Sequence, residues 1–438
     1  MAAKILLVNP PIYDFAAYDF WLKPYGLLSV AGFLRGKAEF ALFDYLDRLH
    51  PFVHGLEARA TSDQWGRGRF YCEKIAPPPP FCEIPRHFRR FGLPRNMFED
   101  FLERKGPFDF ALVQTVMTYW YQGVQEVIED IRRITPRTKI VLGGNYITLC
   151  DNHAKKSGAN FLVMGSNLEP LWEYLGFAGE RREPALWEAY DKLRVGVLKL
   201  SEGCPFNCTY CMVPKVYGKF KPRPMECSLA ELELLVKCGV ENIAFYDDAL
   251  LYKSGEVLEP FLKEVLSRNI SVNFHSPNAL NTRFITKGLA KLMVKAGFKS
   301  FYLGFESASL EWQKKTGSKV FSKEFAEAVK HLTAAGAEPG SITAYQILGH
   351  PHGDIQQLED SMRFVNSLGI RGMLADFSPV PGTPDGDYCK KWVDMGEPLF
   401  HNKTAFPILK LGFDETNRLK DLQRKLNRKL SSANNPHQ

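Results

Sequence analysis

Short, near-continuous apolar runs alternate along the first half of the chain with stretches whose apolar positions recur at helical spacing. The runs predict strands at Lys4–Asn9, Phe40–Tyr45, Phe108–Thr115, Lys139–Leu142 and Phe161–Met164, and the helical spacing predicts helices at Gly26–Leu34 and Gln122–Ile134. Strands apolar on both faces with helices between them argue for a parallel sheet covered on both sides. Ligands of such sheets bind beyond the carboxyl ends of the strands. Those ends are Asn9-Pro10-Pro11, Thr115–Tyr121 and Gly143-Gly144-Asn145.

The alternation breaks at 46–107, which holds a Pro77–Pro80 tract and Arg86, Arg89 and Arg90. It is too long for an ordinary connection. It reads either as a solvated excursion or as a lid or recognition insertion. After a charged linker at 177–194 a clearer rhythm begins. Strands are expected at Gly196–Ser201, Asn242–Tyr246, Ser271–His275, Ser300–Phe305, Ser341–Leu348 and Gly372–Phe377. Helices are expected at Leu229–Cys238, Gly255–Ser267, Thr286–Ala296, Lys323–Ala335 and Ile355–Leu368. Gly239, Gly297, Gly336 and Gly369 close most of these helices, as the left-handed helix terminus favours. Six βα-type strands suggest a partial TIM-like barrel, with chemistry gathered on the loops that follow strands. The expected fold class is therefore α/β. A Rossmann-like parallel-sheet domain (1–176) precedes a partial (β/α)6 barrel (195–385) and a small helical C-terminal extension (386–438). Within that extension Leu409–Leu430 reads as one basic capping helix, and Asn434–Gln438 as a frayed end.

Composition narrows the class. The chain is 45 % hydrophobic and 24 % charged, as in a soluble globular protein. No apolar run reaches the length of a membrane span, and the first residues lack the regions of a signal peptide. A cytoplasmic location is the expectation. A formal charge of +7 over 438 residues is mild and does not call for nucleic acid.

The chemistry is concentrated in Cys204, Cys208 and Cys211, spaced C-x3-C-x2-C directly after the first strand of the expected barrel. Structural zinc commonly uses two C-x2-C or C-x2-H pairs. No second pair lies nearby, Cys227 and Cys238 being isolated. An odd count of nine cysteines argues against a disulfide framework. A four-iron cluster normally takes four cysteines; three leave one iron open to chelate a small molecule.

With these residues the chain resembles the radical S-adenosylmethionine superfamily, and within it the branch with an N-terminal cobalamin-binding-type domain. The resemblance covers roughly 4–45 and 108–384. It is carried by the cysteine motif and by Ile243-Ala244-Phe245-Tyr246-Asp247-Asp248, Leu303-Gly304-Phe305-Glu306-Ser307, Gln346-Ile347-Leu348-Gly349-His350-Pro351-His352-Gly353 and Ser378-Pro379-Val380-Pro381-Gly382-Thr383-Pro384. Pro24–Leu34 resembles the first helix of the branch, and Ile140–Leu149 its glycine turn beside the cobalamin tail. One departure stands out. There is no D-x-H-x-x-G after the first strand; Asn9-Pro10-Pro11-Ile12-Tyr13-Asp14 stands there, so that loop holds no histidine to replace the lower ligand of cobalt.

The resemblance implies a [4Fe-4S] cluster on Cys204, Cys208 and Cys211. The open iron would hold S-adenosylmethionine, whose reductive cleavage yields a 5′-deoxyadenosyl radical that abstracts a substrate hydrogen. It implies Tyr210 near the adenine, Asp247 or Asp248 at the methionine amino group, Glu306 and Ser307 at the ribose or carboxylate, Gln346 at the ribose, and Asn278 and Arg283 after the third barrel strand. Cobalamin, if bound, would meet Thr115, Met117, Gly143, Gly144 and Thr148. Each polar position has a plain hydrogen-bonding role as its alternative. His275, His350 and His352 read as core or loop histidines or as an acid or base. Thr118-Tyr119-Trp120-Tyr121 either covers a corrin or packs at a domain boundary. No catalytic acid or base is assigned.

The expected activity is a radical modification of an unactivated carbon, methylation through cobalamin first, in a small or natural-product-type substrate, with flavodoxin or ferredoxin as reductant. Methylthio transfer to RNA or protein competes. It would expect further N-terminal cysteines for a second cluster and a C-terminal β-domain; Cys72, Cys82 and Cys150 do not suit that spacing. A cluster-bearing regulatory protein without catalysis is the third reading.

Overall fold

The computed structural model describes residues 2–54, 62–177, 184–317 and 320–433. Residues 178–183 of the linker and the Asn434–Gln438 end lie outside it. The chain divides into two compact units, one of residues 1–196, 230–240 and 394–402, the other of 197–229, 241–393 and 403–438.

The strands of the first unit are, in chain order, β1 (Ala3–Asn9), β2 (Ile12–Asp14), β3 (Ala38–Asp44), β4 (Cys72–Ile75), β5 (Phe88–Phe91), β6 (Phe110–Thr115), β7 (Lys139–Gly144) and β8 (Phe161–Val163). Five form one parallel sheet in the order β3-β1-β6-β7-β8. Ile5, Leu6, Leu7 and Val8 of β1 have no exposed surface, each burial being worth about 1.5–3 kcal/mol. Alternation sends Ile5 and Leu7 to the face covered by Leu27 and Ala31 of the helix Tyr25–Phe33. The strand order reverses between β1 and β6, where a doubly wound sheet opens a crevice.

The break at 46–107 is built structure. β2, β5 and β4 form an antiparallel sheet in that order, with Ile12 opposite Phe91 and Asp14 opposite Arg89. The rings of Phe81 and Phe88 lie 5.0 and 5.1 Å from that of Phe15. Arg90 is buried against Glu126 of the helix Tyr121–Ile134, through Nε–Oε2 at 2.9 Å and Nη2–Oε1 at 2.6 Å.

The second unit holds β9 (Val195–Leu198, entering from the first unit), β10 (Ser201–Glu202), β11 (Lys221–Pro222), β12 (Asn242–Phe245), β13 (Asn273–Asn281), β14 (Phe298–Glu306), β15 (Ile342–Leu348) and β16 (Arg371–Asp376). Six lie side by side in the order β16-β15-β14-β13-β12-β9, and β12 to β16 pair in parallel. This is the expected open partial barrel. The helix-closing glycines 239, 297, 336 and 369 all have positive φ. Two details differ from expectation. β13 runs on to Asn281 through a register shift between Ser276 and Leu280, so Asn278 lies within the strand rather than after it. The C-terminal helix is two helices, Ala405–Leu411 and Phe413–Ala433, because Gly412 takes φ +87° and ψ 157°, outside helical space. The longer one packs Leu419 and Leu426 on Leu348, Leu358 and Met362. Its Asn427 bonds both backbone groups of Gly372 on the edge strand β16, at 3.0 and 2.9 Å.

Candidate cluster and cofactor site

The cysteine loop hangs from the β10–β11 pair, whose register is Ser201 to Pro222 and Glu202 to Lys221. Gly203 turns the chain into the loop at φ +74°; a Cβ there would fall 2.5 Å from the Lys219 carbonyl oxygen, so glycine is required. The Cys204 amide donates to Gly218 O at 3.3 Å and the Cys211 amide to Cys208 O at 3.1 Å. The three thiols are half-buried and form no disulfide. Among the described residues no three His, Cys, Asp or Glu side chains converge on one point as around a single ion. A cuboidal cluster does not ask for that convergence, because each thiolate takes a different iron.

The two adjacent aspartates after β12 divide their work. Asp247 is buried beneath the loop and accepts from the Leu200 amide at 3.0 and 3.1 Å and from Ser201 Oγ at 2.6 Å. Burial pushes its carboxyl up to about 6 against these bonds. Asp248 accepts from the Gly203 amide at 3.1 Å, and burial raises it too. Asn278 Nδ2 donates to the Asp247 carbonyl at 3.1 Å.

Opposite the loop, β14 ends on Glu306 at φ +60°, a left-handed conformation costly for a residue with a Cβ. A register shift between Gly304 and Glu306 sets Glu306 opposite Gln346 of β15. Gln346 has no exposed surface, and neither end of its amide has a hydrogen-bond partner. A buried amide left unpaired costs about 1–3 kcal/mol, so this is a place where a polar ligand fits. The Tyr210 hydroxyl is raised by burial and by the nearness of Glu306, Cys208 and Cys211, and it hydrogen-bonds Cys208. Its ring stacks on Trp312 at 6.4 Å and 21°. Ser307 Oγ accepts from the Ser309 amide at 3.2 Å. The structure thus gathers the cysteines, Tyr210 and Glu306 in one place, with Gln346 beside Glu306 and Asp247 and Asp248 bonded to the loop's first residues. Arg283 pairs instead with Glu324 at 3.2 Å, and His275 is a core residue between Ser300 Oγ and Asn242 Oδ1.

One partner of the loop, Asp385, escaped sequence reasoning, and His350, a candidate acid, base or core histidine in the sequence, supports it. Asp385 accepts from Thr209 Oγ1 at 2.6 Å, and its amide donates to Thr209 O at 3.1 Å. His350 meets the same carboxylate through Nε2 at 3.0 Å. Burial works to raise the Asp385 carboxyl, but the bonds from His350 and Thr209 win and hold it below the usual range. A contact spanning 176 residues leaves no local signal in a sequence.

In the first unit a small cleft opens where β1 and β6 end. Asn9, Pro10, Leu22, Thr115, Met117 and Trp120 line it, and no histidine does. Trp120 Nε1 donates to Asp14 Oδ2 at 2.9 Å, which leaves its ring on the cleft wall. Gly144 has φ +119°, and a Cβ there would lie 2.0 Å from the Thr115 carbonyl oxygen. Thr115 Oγ1 donates to Gly143 O at 3.0 Å; Thr148 Oγ1 donates to Gly144 O at 3.0 Å and accepts from the Gly165 amide at 2.9 Å.

The sequence profile of the Radical SAM superfamily matches residues 198–365, the span from the end of β9 to the helix after β15. Residues 198–365 thus match that superfamily, and the fold over most of the chain is like that of two solved structures in which a sheet domain precedes the barrel. The radical S-adenosylmethionine methyltransferase TsrM from Kitasatospora setae superposes over 88 % of this chain and 75 % of its own, at TM-score 0.64 and 14 % identity. The cobalamin-dependent S-adenosylmethionine radical enzyme OxsB covers 97 % of this chain and 61 % of its own, at TM-score 0.59 and 13 % identity. In sequence, an uncharacterized methyltransferase of Pyrococcus horikoshii is 27 % identical over 202 residues, 45 % of this chain and 42 % of its own length. The ribosomal protein uS12 methylthiotransferase of Chlorobium phaeobacteroides is 28 % identical over 34 % of this chain and 37 % of its own. The match thus spans about two fifths of these curated relatives. No helix among the described residues is long and apolar enough to cross a membrane.

Proposed function

We propose that this protein is a radical S-adenosylmethionine enzyme that modifies an unactivated carbon of a small-molecule substrate, with cobalamin-assisted methylation as the leading reaction. One observation carries the reading: the cysteine loop, the left-handed Glu306 and the unpartnered Gln346 amide share one end of the partial barrel, in a chain that also carries a cleft at the switch point of a doubly wound sheet. When bound, the cluster and S-adenosylmethionine supply a hydrogen-abstracting radical, and cobalamin supplies a methyl carrier.

The protein's own part is positioning. Cys204, Cys208 and Cys211 would take three irons and leave the fourth for the amino-acid end of S-adenosylmethionine. Asp247 fixes the backbone of Leu200 and Ser201, and Asp248 that of Gly203, so the loop's entry is held from below. Gln346 has both a donor and an acceptor for ribose hydroxyls, and the Tyr210 and Trp312 rings give an adenine an apolar wall. Thr115 and Met117 on the cleft wall would meet a nucleotide-like tail, with Gly143, Gly144 and Thr148 beside them at the end of β7; Gly144 lets its own backbone lie against Thr115. The cleft has no imidazole for cobalt, so cobalamin would bind without a histidine from this loop.

Methylthio transfer is the second reading, favoured by a stretch of 124 residues 44 % identical to the uS12 methylthiotransferase of Trichlorobacter lovleyi. Anaerobic reconstitution separates the two: one cuboidal cluster gives about four irons per chain and two give about eight. The reduced protein should release 5′-deoxyadenosine from S-adenosylmethionine and keep an equimolar, coloured complex after gel filtration with hydroxocobalamin. Cys208→Ala should lose iron and 5′-deoxyadenosine release together. Protein that leaves gel filtration without the absorption bands of cobalamin removes cobalamin from the reading, and iron retained in full by Cys208→Ala removes the cluster assignment.

A further inference from the structure

Between the second and third cysteines, Thr209 is gripped by one residue on both its side chain and its backbone. Asp385 Oδ2 takes the Thr209 hydroxyl at 2.6 Å and the Asp385 amide gives its proton to Thr209 O at 3.1 Å. Asp385 opens the short helix Pro384–Tyr388 after β16, and Thr383 caps that helix through the Gly386 amide at 3.1 Å.

The carboxylate is itself held. His350 Nδ1 accepts from the His352 amide at 3.3 Å, which leaves Nε2 to donate to Asp385 Oδ2, 3.0 Å away. The imidazole is 2 % exposed and is wedged edge-on against Tyr210, Trp312 and Phe377, at 6.0, 5.2 and 5.1 Å. Its carbonyl accepts from the Gly353 amide at 2.8 Å and from Lys410. His352 reaches the other carboxylate oxygen at 3.5 Å. Asp385, His350 and His352 have no part in binding S-adenosylmethionine in the reading above, yet they converge on the residue between two cluster ligands.

We propose that His350 and Asp385 are positioning residues that clamp Thr209 and thereby fix the spacing of the Cys208 and Cys211 sulfurs on the cluster. The clamp rests on the assignment of those cysteines as cluster ligands. Partners of this kind, one bond removed from the ligands, typically change metal affinity about 10–100-fold when lost.

The test uses the full chain, reconstituted anaerobically, as wild type, Thr209→Val, Thr209→Ser and His350→Phe. Valine keeps the volume and removes the hydroxyl, serine keeps the hydroxyl, and phenylalanine keeps the ring contacts and removes the donor. Iron loss to an excess of bathophenanthroline disulfonate should be about 10–100-fold faster for Thr209→Val, faster than wild type for His350→Phe, and near wild type for Thr209→Ser. The electron paramagnetic resonance spectrum of the reduced cluster should shift or broaden in the first two variants and recover in the third. A wild-type rate and spectrum for Thr209→Val overturns the clamp, as does a serine variant as labile as the valine one. A wild type that holds no four-iron cluster overturns the ligand assignment itself, and the clamp with it.

Discussion

Burial and hydrogen bonding pull Asp247 in opposite directions. In water its carboxyl titrates near 3.8; beneath the cysteine loop burial outweighs the bonds from Leu200 and Ser201 and moves it to about 6. The sign of the pH effect follows. Above pH 6 the group is ionised whether the chain is folded or not, and the folded state bears the cost of a buried charge. Between pH 6 and 4 only the folded state takes up the proton, so this group makes the protein more stable as pH falls, by on the order of 3 kcal/mol over the window. Asp247→Asn should flatten that part of the profile in thermal melts from pH 7 to 4.5; an unchanged slope would refute it. The cysteine triad was plain in the sequence because its three members lie within eight positions and few other chemistries ask for that spacing. The fates of Asp247 and Asp385 were not, since both depend on partners far along the chain: Leu200 for one, Thr209 for the other.

Among the elements, parallel strands such as β1, β6 and β12 were legible because they are apolar on both faces, a pattern that solvent-facing strands do not share. β5 was missed because its sequence, Phe88-Arg89-Arg90-Phe91, reads as a charged loop. Arg90 can be buried there only because Glu126 meets it from a helix 36 positions on. The single basic helix expected at 409–430 failed on one residue. Gly412 combines φ +87° with ψ 157°, a region open to glycine almost alone. No atom lies within 4 Å of where its Cβ would be, so crowding adds nothing to a substitution. Gly412→Ala should therefore cost about 1–3 kcal/mol through backbone strain alone, read as a lower urea midpoint with an unchanged slope. A neutral result would mean that the two helices can join.

For the molecule as a whole, the open barrel raises a problem that a closed one does not have. β16 is an edge, and unpaired edges recruit other strands. The helix Phe413–Ala433 covers it by bonding Gly372 through Asn427 and by laying Leu419 and Leu426 over the neighbouring apolar cluster. Gly372 has no room for a side chain, since its Cβ would lie 2.5 Å from Gln423 Nε2. Deleting residues from Phe413 onward should turn the purified protein into oligomers or aggregate by light scattering; a monodisperse monomer would show that the edge protects itself. The same cover carries a consequence in time. During synthesis β16 is made roughly sixty residues before its seal is complete, an interval of about 3–12 s at ordinary elongation rates. Through those seconds the nascent chain presents a bare strand to every neighbour on the polysome, and the yield of native protein in a host should depend on how fast its ribosomes complete the helix Phe413–Ala433.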